Sequence, residues 1–310
     1  MAITAAMVKE LRDMTGAGMS DCKKALTDTD GDMDGAVEWL KKHGLSKAEK
    51  KAGRIAAEGI VCVCLSDDAK NASIVEVNSE TDFVAKNEKF QTFVGSVAKQ
   101  ALATSASDIE SFLAEPWIED SSVTVDENLK SMIATIGENM NIRRFEKVSE
   151  ADGVIVSYIH AGGKIGVLVK AKTSASADQV SECLKNVAMQ VAAMNPKYLS
   201  TDDVSEDYKK KELAILVEQA KNDPKNASKP DDIIEKMVTG RLNKELKEVC
   251  LNEQVYVKAE NKETVGQYVA SVAKEIGSDI TLTGFVRYET GEGLEKKEED
   301  FAAEVAAQIG

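Results

Sequence analysis

The stretch Thr81-Asp82-Phe83-Val84-Ala85-Lys86 marks a corner between a strand and a helix. An apolar run at residues 74–77 precedes it, and apolar residues at helical spacing follow it over residues 90–97. Thr81 or Asp82 can cap the helix, because a side-chain oxygen accepts from a free amide of the first turn and an acidic charge suits the positive end of the helix dipole. Phe83 follows directly, so its ring points either into the core or out toward a partner. The hydrophobic-staple pattern, in which apolar residues at a helix N-terminus pack against each other, favours the inward orientation when it is considered alone.

The same region resembles a known family. Residues 78–87, Asn-Ser-Glu-Thr-Asp-Phe-Val-Ala-Lys-Asn, are similar to a signature of the elongation factor Ts family, the nucleotide exchange factors of elongation factor Tu. Near the N-terminus, residues 15–26 resemble the second signature of the family, and the order and spacing of the two agree with it. Further similar runs lie at residues 136–144, 160–168 and 291–306, so the resemblance covers essentially the whole chain.

Composition limits the classes of function. The chain has 310 residues, of which 43% are hydrophobic and 30% charged, so it is long enough for two or three domains with their own cores. No apolar run reaches the length of about 18 residues that a membrane-spanning helix needs, and the N-terminus lacks a signal-peptide core. We therefore expect a cytoplasmic protein without membrane contact. A formal net charge of −14 repels phosphate backbones, which favours a protein partner over nucleic acid.

The cysteines do not predict a disulfide framework or a metal site. They are five in number and scattered, which fits a reducing compartment. Cys62 and Cys64 share one face of a predicted strand, but the only histidines, His43 and His160, are far from them in the sequence. A zinc site would need ligands from distant pieces of the chain. We expect neither a metal nor a cofactor.

Residues 1–54 predict a bundle of three short helices and a linker. The first helix stops at the glycines of residues 16–18, and the third is expected to end at Gly44. Residues 46–54 are rich in lysine and alanine and poor in large apolar residues, which is typical of a link between domains. The size of the bundle resembles that of ubiquitin-associated domains.

The rest of the chain predicts an α+β architecture of two related subdomains. A hairpin, two helices and a strand fill residues 55–150, and the same order recurs in residues 151–198 and 233–288. A charged antiparallel helical hairpin is inserted at residues 199–232, with a second helix that runs to about Val249. The last residues, 289–310, predict a short C-terminal helical module with a narrow apolar stripe that includes Phe301.

The resemblance implies which residues contact the partner. It assigns binding and exchange to Thr81, Asp82, Phe83 and Val84. The bundle is expected to contribute its outer residues, although Met19 could instead plug the bundle core. The C-terminal module would hold the nucleotide domain of the partner, and the loop after residue 159 would contact another part of it. These further contact residues are Lys9, Arg12, Met19, Lys23, Lys24, His160, Gly163 and Phe301.

The family's protruding coiled coil, which lies at the position of the hairpin, is implicated in subunit or partner contacts. That leaves open a homodimer or a heterotetramer formed through the hairpin. A solvated hairpin without a binding role is the alternative, given its many charges.

Three functions remain open on the residues alone. No phosphate-binding loop and no nucleophile beside a base is present, so an enzyme is unsupported, although a small-ligand pocket near His160 would revive it. A non-enzymatic adaptor could use the N-terminal bundle to bind a helical or ubiquitin-like partner. The resemblance implies a translation factor that binds elongation factor Tu and promotes GDP release by distorting its magnesium and phosphate-binding elements. The second signature and the absence of catalytic groups favour this function and an outward Phe83.

Overall fold

The computed structural model of the chain describes residues 2–226 and 229–295. Its first element is a bundle of three helices, α1 (Ala5–Thr15), α2 (Met19–Asp28) and α3 (Met33–Lys51). Helix α1 begins at Thr4, whose hydroxyl accepts from the Met7 amide, and ends at Gly16, which adopts the left-handed conformation that glycine tolerates. A small apolar core joins the three helices around Leu11 and Leu26, both fully buried.

Helix α3 does not end at Gly44 as the sequence predicts. It continues to Lys51, because Gly44 and Ala48 are buried against the body of the protein. A side chain at Gly44 would lie 3.3 Å from the Ala134 methyl group, so the glycine permits close packing of two helices rather than terminating one. Tertiary packing thus outweighs the helix penalty of glycine, which is about 1 kcal/mol.

The first sheet is antiparallel with strand order β1-β2-β5, formed by β1 (Glu58–Leu65), β2 (Asn71–Ser79) and β5 (Met140–Ser149). Between β2 and β5 the chain forms a short turn of helix and a helical layer that covers one face of the sheet. These elements are α4 (Asp82–Ala85), α5 (Glu88–Ala103), α6 (Ile109–Ala114), the ribbon β3 (Pro116–Trp117) and β4 (Asp120–Thr124), and α7 (Val125–Ile136). Their largest core residues include Phe90 and Phe112, which are fully buried.

The second sheet has the same plan. Its strands β6 (Gly153–His160), β7 (Ile165–Lys172) and β8 (Thr281–Glu289) are antiparallel in the order β6-β7-β8. Helices α8 (Ala177–Met194) and α11 (Val265–Ile276) cover its outer face. In both sheets the pairing with the third strand contains one register shift, at Glu76/Val77 in the first and at Lys170/Ala171 in the second.

The two sheets pack face to face. Alternate residues of each strand point to opposite sides, so Val75 faces the helical layer while Ile74 faces the other sheet. The shared core between the sheets includes Ile74, Ile155 and Leu168. The order of layers is therefore helices, sheet, sheet, helices.

A buried carboxylate ties the end of β8 to the first sheet. Glu76 has no exposed surface, and its carboxylate accepts from Arg143 Nη1 at 3.0 Å, Arg144 Nε at 2.6 Å and the Gly291 amide at 2.8 Å. Burial alone raises the pKa of Glu76, but the Gly291 amide, Asn78 and the two guanidinium groups outweigh it, so the pKa lies below its ordinary value.

A helical hairpin projects between α8 and α11. It consists of α9 (Glu206–Asn222) and α10 (Asp231–Val249), which share a core around Leu216 and Val238. The hairpin boundary predicted at residue 232 falls inside α10. Because α10 keeps its apolar side toward this core as far as Leu246, the hairpin extends to Val249.

The mixed arrangement of helices and antiparallel sheets confirms the predicted α+β class. Within residues 2–226 and 229–295, no helix is both long enough and apolar enough to cross a membrane.

We expect Glu76→Gln to lower the free energy of unfolding by about 2 to 3 kcal/mol at neutral pH, because it removes the buried negative charge that pairs with Arg143 and Arg144. Arg144 keeps an ion pair with Glu292. The arginine side chains are partly exposed, which keeps the loss below that of a fully buried pair. Because the folded pKa of Glu76 lies below the unfolded value of about 4.3, the stabilisation is complete above that pH and is lost as the pH falls through the folded pKa.

Denaturant unfolding of the wild type and of Glu76→Gln between about pH 7 and pH 3 measures this. The difference in unfolding free energy should shrink below about pH 4. The exposed Glu182 on α8 offers a matched control, and Glu182→Gln should change stability by less than about 0.5 kcal/mol. Equal stabilities for Glu76→Gln and the wild type at neutral pH would contradict the assignment.

Candidate partner-binding site

The corner after β2 is built around Thr81. Its backbone is extended, and its hydroxyl accepts from the Val84 amide at 3.5 Å, so Thr81 is the N-cap of α4. The Thr81 amide donates to Glu138 Oε2 at 3.0 Å, and the Thr81 hydroxyl donates to Glu138 Oε1 at 2.7 Å. One carboxylate therefore receives both donors of the cap residue.

Two neighbouring apolar side chains of α4 point in opposite directions. Val84 is 7% exposed and belongs to the core of the first sheet and its helices. Phe83 is 79% exposed, the most exposed large apolar side chain among the described residues. The predicted outward orientation of Phe83 is confirmed, and Val84 is the side chain of this turn that packs into the core.

Asp82 presents its carboxylate beside Phe83. It accepts from Lys86 Nζ at 2.7 Å, one helical turn away. This hydrogen bond is the main reason that the pKa of Asp82 is lowered, and the positive charges of Lys86 and Lys164 lower it further. Asp82 is therefore a partly exposed anion at neutral pH, available to a donor on a partner surface.

Residues of the N-terminal signature, residues 15–26, lie next to this corner. Arg12, Met19 and Phe83 line one open groove between the bundle and α4. Gly16 lies in the same groove, where a side chain would stand 3.7 Å from Lys89 Nζ. Met19 is 46% exposed, so it does not plug the bundle core. The two signatures, distant in sequence, thus form one continuous surface.

The lysines of the bundle are exposed but do not line this groove. Lys9, Lys23 and Lys24 all carry exposed side chains on α1 and α2. Lys24 Nζ lies 5.8 Å from the centre of the Trp39 ring, a cation–π contact within the bundle. These lysines are therefore exposed on the bundle but are not part of the corner.

The loop between β6 and β7 holds the next two predicted residues in different environments. His160 is exposed, and its Nδ1 is 2.9 Å from the Tyr158 hydroxyl oxygen. Gly163 is buried with a positive φ of 101°, where a side chain would strike Ile60 at 2.8 Å. The structure does not support Gly163 as a contact residue, because its place in the loop is a packing position. Phe301 lies outside the described residues.

Glu138 is the main site residue that motif reasoning missed. It belongs to a run, residues 136–139, that resembles the family but was given no role. Its position after α7 gives no sign of a contact with Thr81, since the two residues are 57 positions apart. Only the pairing of β2 with β5 places them side by side.

The surface offers groups for binding rather than for covalent chemistry. It presents an aromatic ring, a carboxylate and several cations, all in contact with solvent. Among the residues that the structure describes, no cluster of three or more histidine, cysteine, aspartate or glutamate side chains is arranged to hold a metal ion.

The family model and the similar proteins found by comparison all point to one family. The family model described as Elongation factor TS matches residues 80–292, well over half of the chain. A protein named Elongation factor Ts from Clostridioides difficile (strain 630) is 56% identical over 307 residues, 99% of each chain. Proteins of the same name from Clostridium novyi (strain NT) and Clostridium tetani (strain Massachusetts / E88) are 53% and 52% identical over 99% of this chain and 99% of their own. The chain therefore belongs to the elongation factor Ts family.

Proposed function

We propose that this protein is a translation elongation factor that binds elongation factor Tu and promotes the release of GDP from it. Membership in the elongation factor Ts family supports this proposal. The observation that carries it is the exposure of Phe83, at 79%, on a turn that is anchored by the buried Val84. An aromatic ring held out in water gives no packing energy to its own fold, so a partner is the natural place for its burial.

Such a factor works by differential binding and needs no reactive side chain. It must bind the partner without nucleotide more tightly than the partner with nucleotide, and linkage makes the effect reciprocal. A thousandfold preference corresponds to about 4 kcal/mol of contacts made only in the distorted partner. Burial of one phenylalanine side chain supplies about 1.5 to 3 kcal/mol. Phe83 would therefore provide a large part of the distortion, with the remaining contacts providing the rest.

In the proposed mechanism, Phe83 enters an apolar gap in the GTPase domain of elongation factor Tu while Asp82 accepts a hydrogen bond nearby. The elements that hold the magnesium ion and the phosphates then shift, and GDP leaves. No bond is made or broken by this protein, so it is not an enzyme in that sense. The site of action would be the cytoplasm.

The other contacts would hold the partner around this wedge. The groove with Arg12 and Met19 is the proposed docking surface, flanked by Lys9, Lys23 and Lys24. Thr81 would hold the turn, and His160 would reach another domain of the partner. The C-terminal module at residues 289–310, with Phe301, would grip the GTPase domain.

The proposed division of labour follows the predicted domains, except that the hairpin ends at Val249 instead of residue 232. The bundle of residues 1–54 is of the ubiquitin-associated type, and the two related subdomains, residues 55–150 and residues 151–198 with 250–288, form the core. The hairpin of residues 199–249 would contact a second copy of the protein or of the complex, giving a homodimer or a heterotetramer. Four large side chains on its helices support this, because they are exposed although apolar: Tyr208, Ile215, Ile233 and Met237.

We expect Phe83→Ala to slow factor-stimulated GDP release by about tenfold to a hundredfold, the equivalent of the burial energy of the ring. The measurement is the release of a fluorescent GDP analogue from elongation factor Tu at saturating factor. Stability should change by less than about 0.5 kcal/mol, since the ring is exposed. Val255, which is 53% exposed in the second half of the chain, gives the control variant Val255→Ala, expected to act as the wild type.

The outcomes separate the identification from the role. A wild-type protein that leaves GDP release unchanged would sink the proposed function, and capture of another helical or ubiquitin-like protein would then favour the adaptor. Full activity of Phe83→Ala would contradict the proposed insertion of Phe83 into the partner and would leave the exchange function standing.

Met19→Ala should act on docking rather than on distortion. We expect the factor concentration at half-maximal release to rise about threefold to fivefold, with little change in the maximal rate, because part of an apolar contact is lost. Met14 is also exposed on the bundle, at 59%, but does not line the groove with Phe83. Met14→Ala is therefore the matched control, and equal effects of the two variants would argue against the groove as the docking surface.

The hairpin contact is tested by the double variant Ile215→Ser with Ile233→Ser. Both side chains are about half exposed, at 48% and 47%, so the fold should tolerate the change. Sedimentation of the complex with elongation factor Tu should show the wild type as a larger assembly and the variant as one factor with one partner. The same mass for both would contradict a role of these side chains in assembly.

A further inference from the structure

Glu138 and the residue after it fix the corner that carries Phe83. Helix α4 has only four residues, too few to be stable without help, because short helices do not offset the cost of their nucleation. Within α4 the cap bond from the Val84 amide to the Thr81 hydroxyl is long, at 3.5 Å. The two shorter hydrogen bonds to Glu138, at 2.7 and 3.0 Å, are charge-assisted and therefore stronger.

The carboxylate is itself held in place. Glu138 follows Gly137, the residue that ends α7 in a left-handed conformation. The Gly137 carbonyl accepts a hydrogen bond from Lys51 Nζ. Asn139 is 1% exposed, its amide donates to Glu80, and its side chain donates to the Arg54 carbonyl at 2.7 Å. The segment after α7 thus connects the corner, the end of α3 and the start of β5 in one hydrogen-bonded junction.

We propose that Glu138 is a positioning residue for nucleotide exchange: it accepts both donors of Thr81 and thereby holds α4 so that Phe83 is presented outward before the partner arrives. This rests on the proposed function of the corner. The clamp removes, in the free protein, the conformational freedom that Phe83 would otherwise lose on binding. Its loss therefore affects the step in which the ring acts, and leaves the docking surface around Arg12 and Met19 intact.

Two variants of Glu138 separate the parts of the clamp. Glu138→Gln keeps the shape of the side chain and one acceptor oxygen, so one of the two hydrogen bonds remains. Glu138→Ala removes both. We expect the maximal rate of fluorescent GDP release to fall about threefold for the glutamine variant and about tenfold for the alanine variant, with the half-maximal factor concentration changed less than twofold.

A second readout observes the clamp without the partner. Hydrogen exchange of the backbone amides in residues 80–86 is followed by mass spectrometry or nuclear magnetic resonance. It should be faster in Glu138→Gln, where a neutral oxygen replaces the charged acceptor, and faster still in Glu138→Ala, where the Thr81 amide loses its acceptor. Thr81→Ser keeps the amide and the hydroxyl and should retain near wild-type release. Thr81→Val keeps the shape but not the hydroxyl and should resemble the glutamine variant.

The chain contains a matched control for this chemistry. Glu127 accepts from the amide of Thr124, the N-cap of α7, at 2.8 Å, so a carboxylate also holds a cap residue there, through one donor instead of two. Glu127→Gln therefore weakens a cap by the same change without touching α4. It should leave both GDP release and hydrogen exchange of residues 80–86 as in the wild type.

The results distinguish this inference from the function on which it rests. An inactive wild type overturns the exchange function. Suppose that the wild type accelerates GDP release, that Phe83→Ala is impaired and that Glu138→Ala has the full rate. The positioning role is then overturned while the exchange function stands. A slow Glu138→Ala whose residues 80–86 exchange like the wild type also overturns it, because the loss would then arise elsewhere. If Glu127→Gln slowed GDP release as much as the Glu138 variants do, the effect of Glu138 would be a general loss of stability, and the positioning role would be overturned.

Discussion

The arrangement of the two halves depends on one buried anion. Glu76 lies on the face of β2 that meets the second sheet, beside the apolar Ile74 and the buried Asn78, whose side-chain amide donates to it. A carboxylate there is tolerated only because Arg143, Arg144 and the Gly291 amide satisfy it. Gly291 follows β8, so the same carboxylate fixes the chain where it leaves the second sheet. Glu76 thus adds a polar tie between the halves to the apolar core that the two sheets share.

The first sheet also carries the corner proposed to bind the partner, so the rigidity of this corner bears on the proposed mechanism of exchange. Val84 enters the core under the sheet, and Glu138 holds the cap from the neighbouring strand segment. Phe83 lies between these two anchors with its ring largely in solvent. An aromatic ring at the tip of a well-held turn needs little reorganisation before it binds, which is the physical advantage of preorganisation.

The N-terminal bundle acquires its place through helix packing. Because α3 continues past Gly44 and lies against α7, the glycine-rich turn near Met19 comes to the edge of the Phe83 corner. Arg12 of the bundle and Lys89 of α5 line that edge in a protein whose net charge is −14. Exposed cations beside one aromatic ring and one carboxylate form a surface suited to a protein partner, where electrostatics guide the encounter and apolar burial supplies affinity.

The sequence alone determined the α+β class, the strand-to-helix corner and the family, because these depend on residues near one another in the chain, but it left the helix cap open between Thr81 and Asp82. It did not determine where α3 ends. Gly44 predicts a helix end from the sequence, and only its packing against Ala134 in the folded protein explains why the helix continues. Nor did it separate the exposed His160 from the buried Gly163 within one loop. The clamp on Thr81 came only from the tertiary structure, because strand pairing joins residues 57 positions apart and no local pattern encodes such a contact. The outward Phe83 was predicted from the family, but its physical cause, the burial of Val84 in its place, is decided by packing.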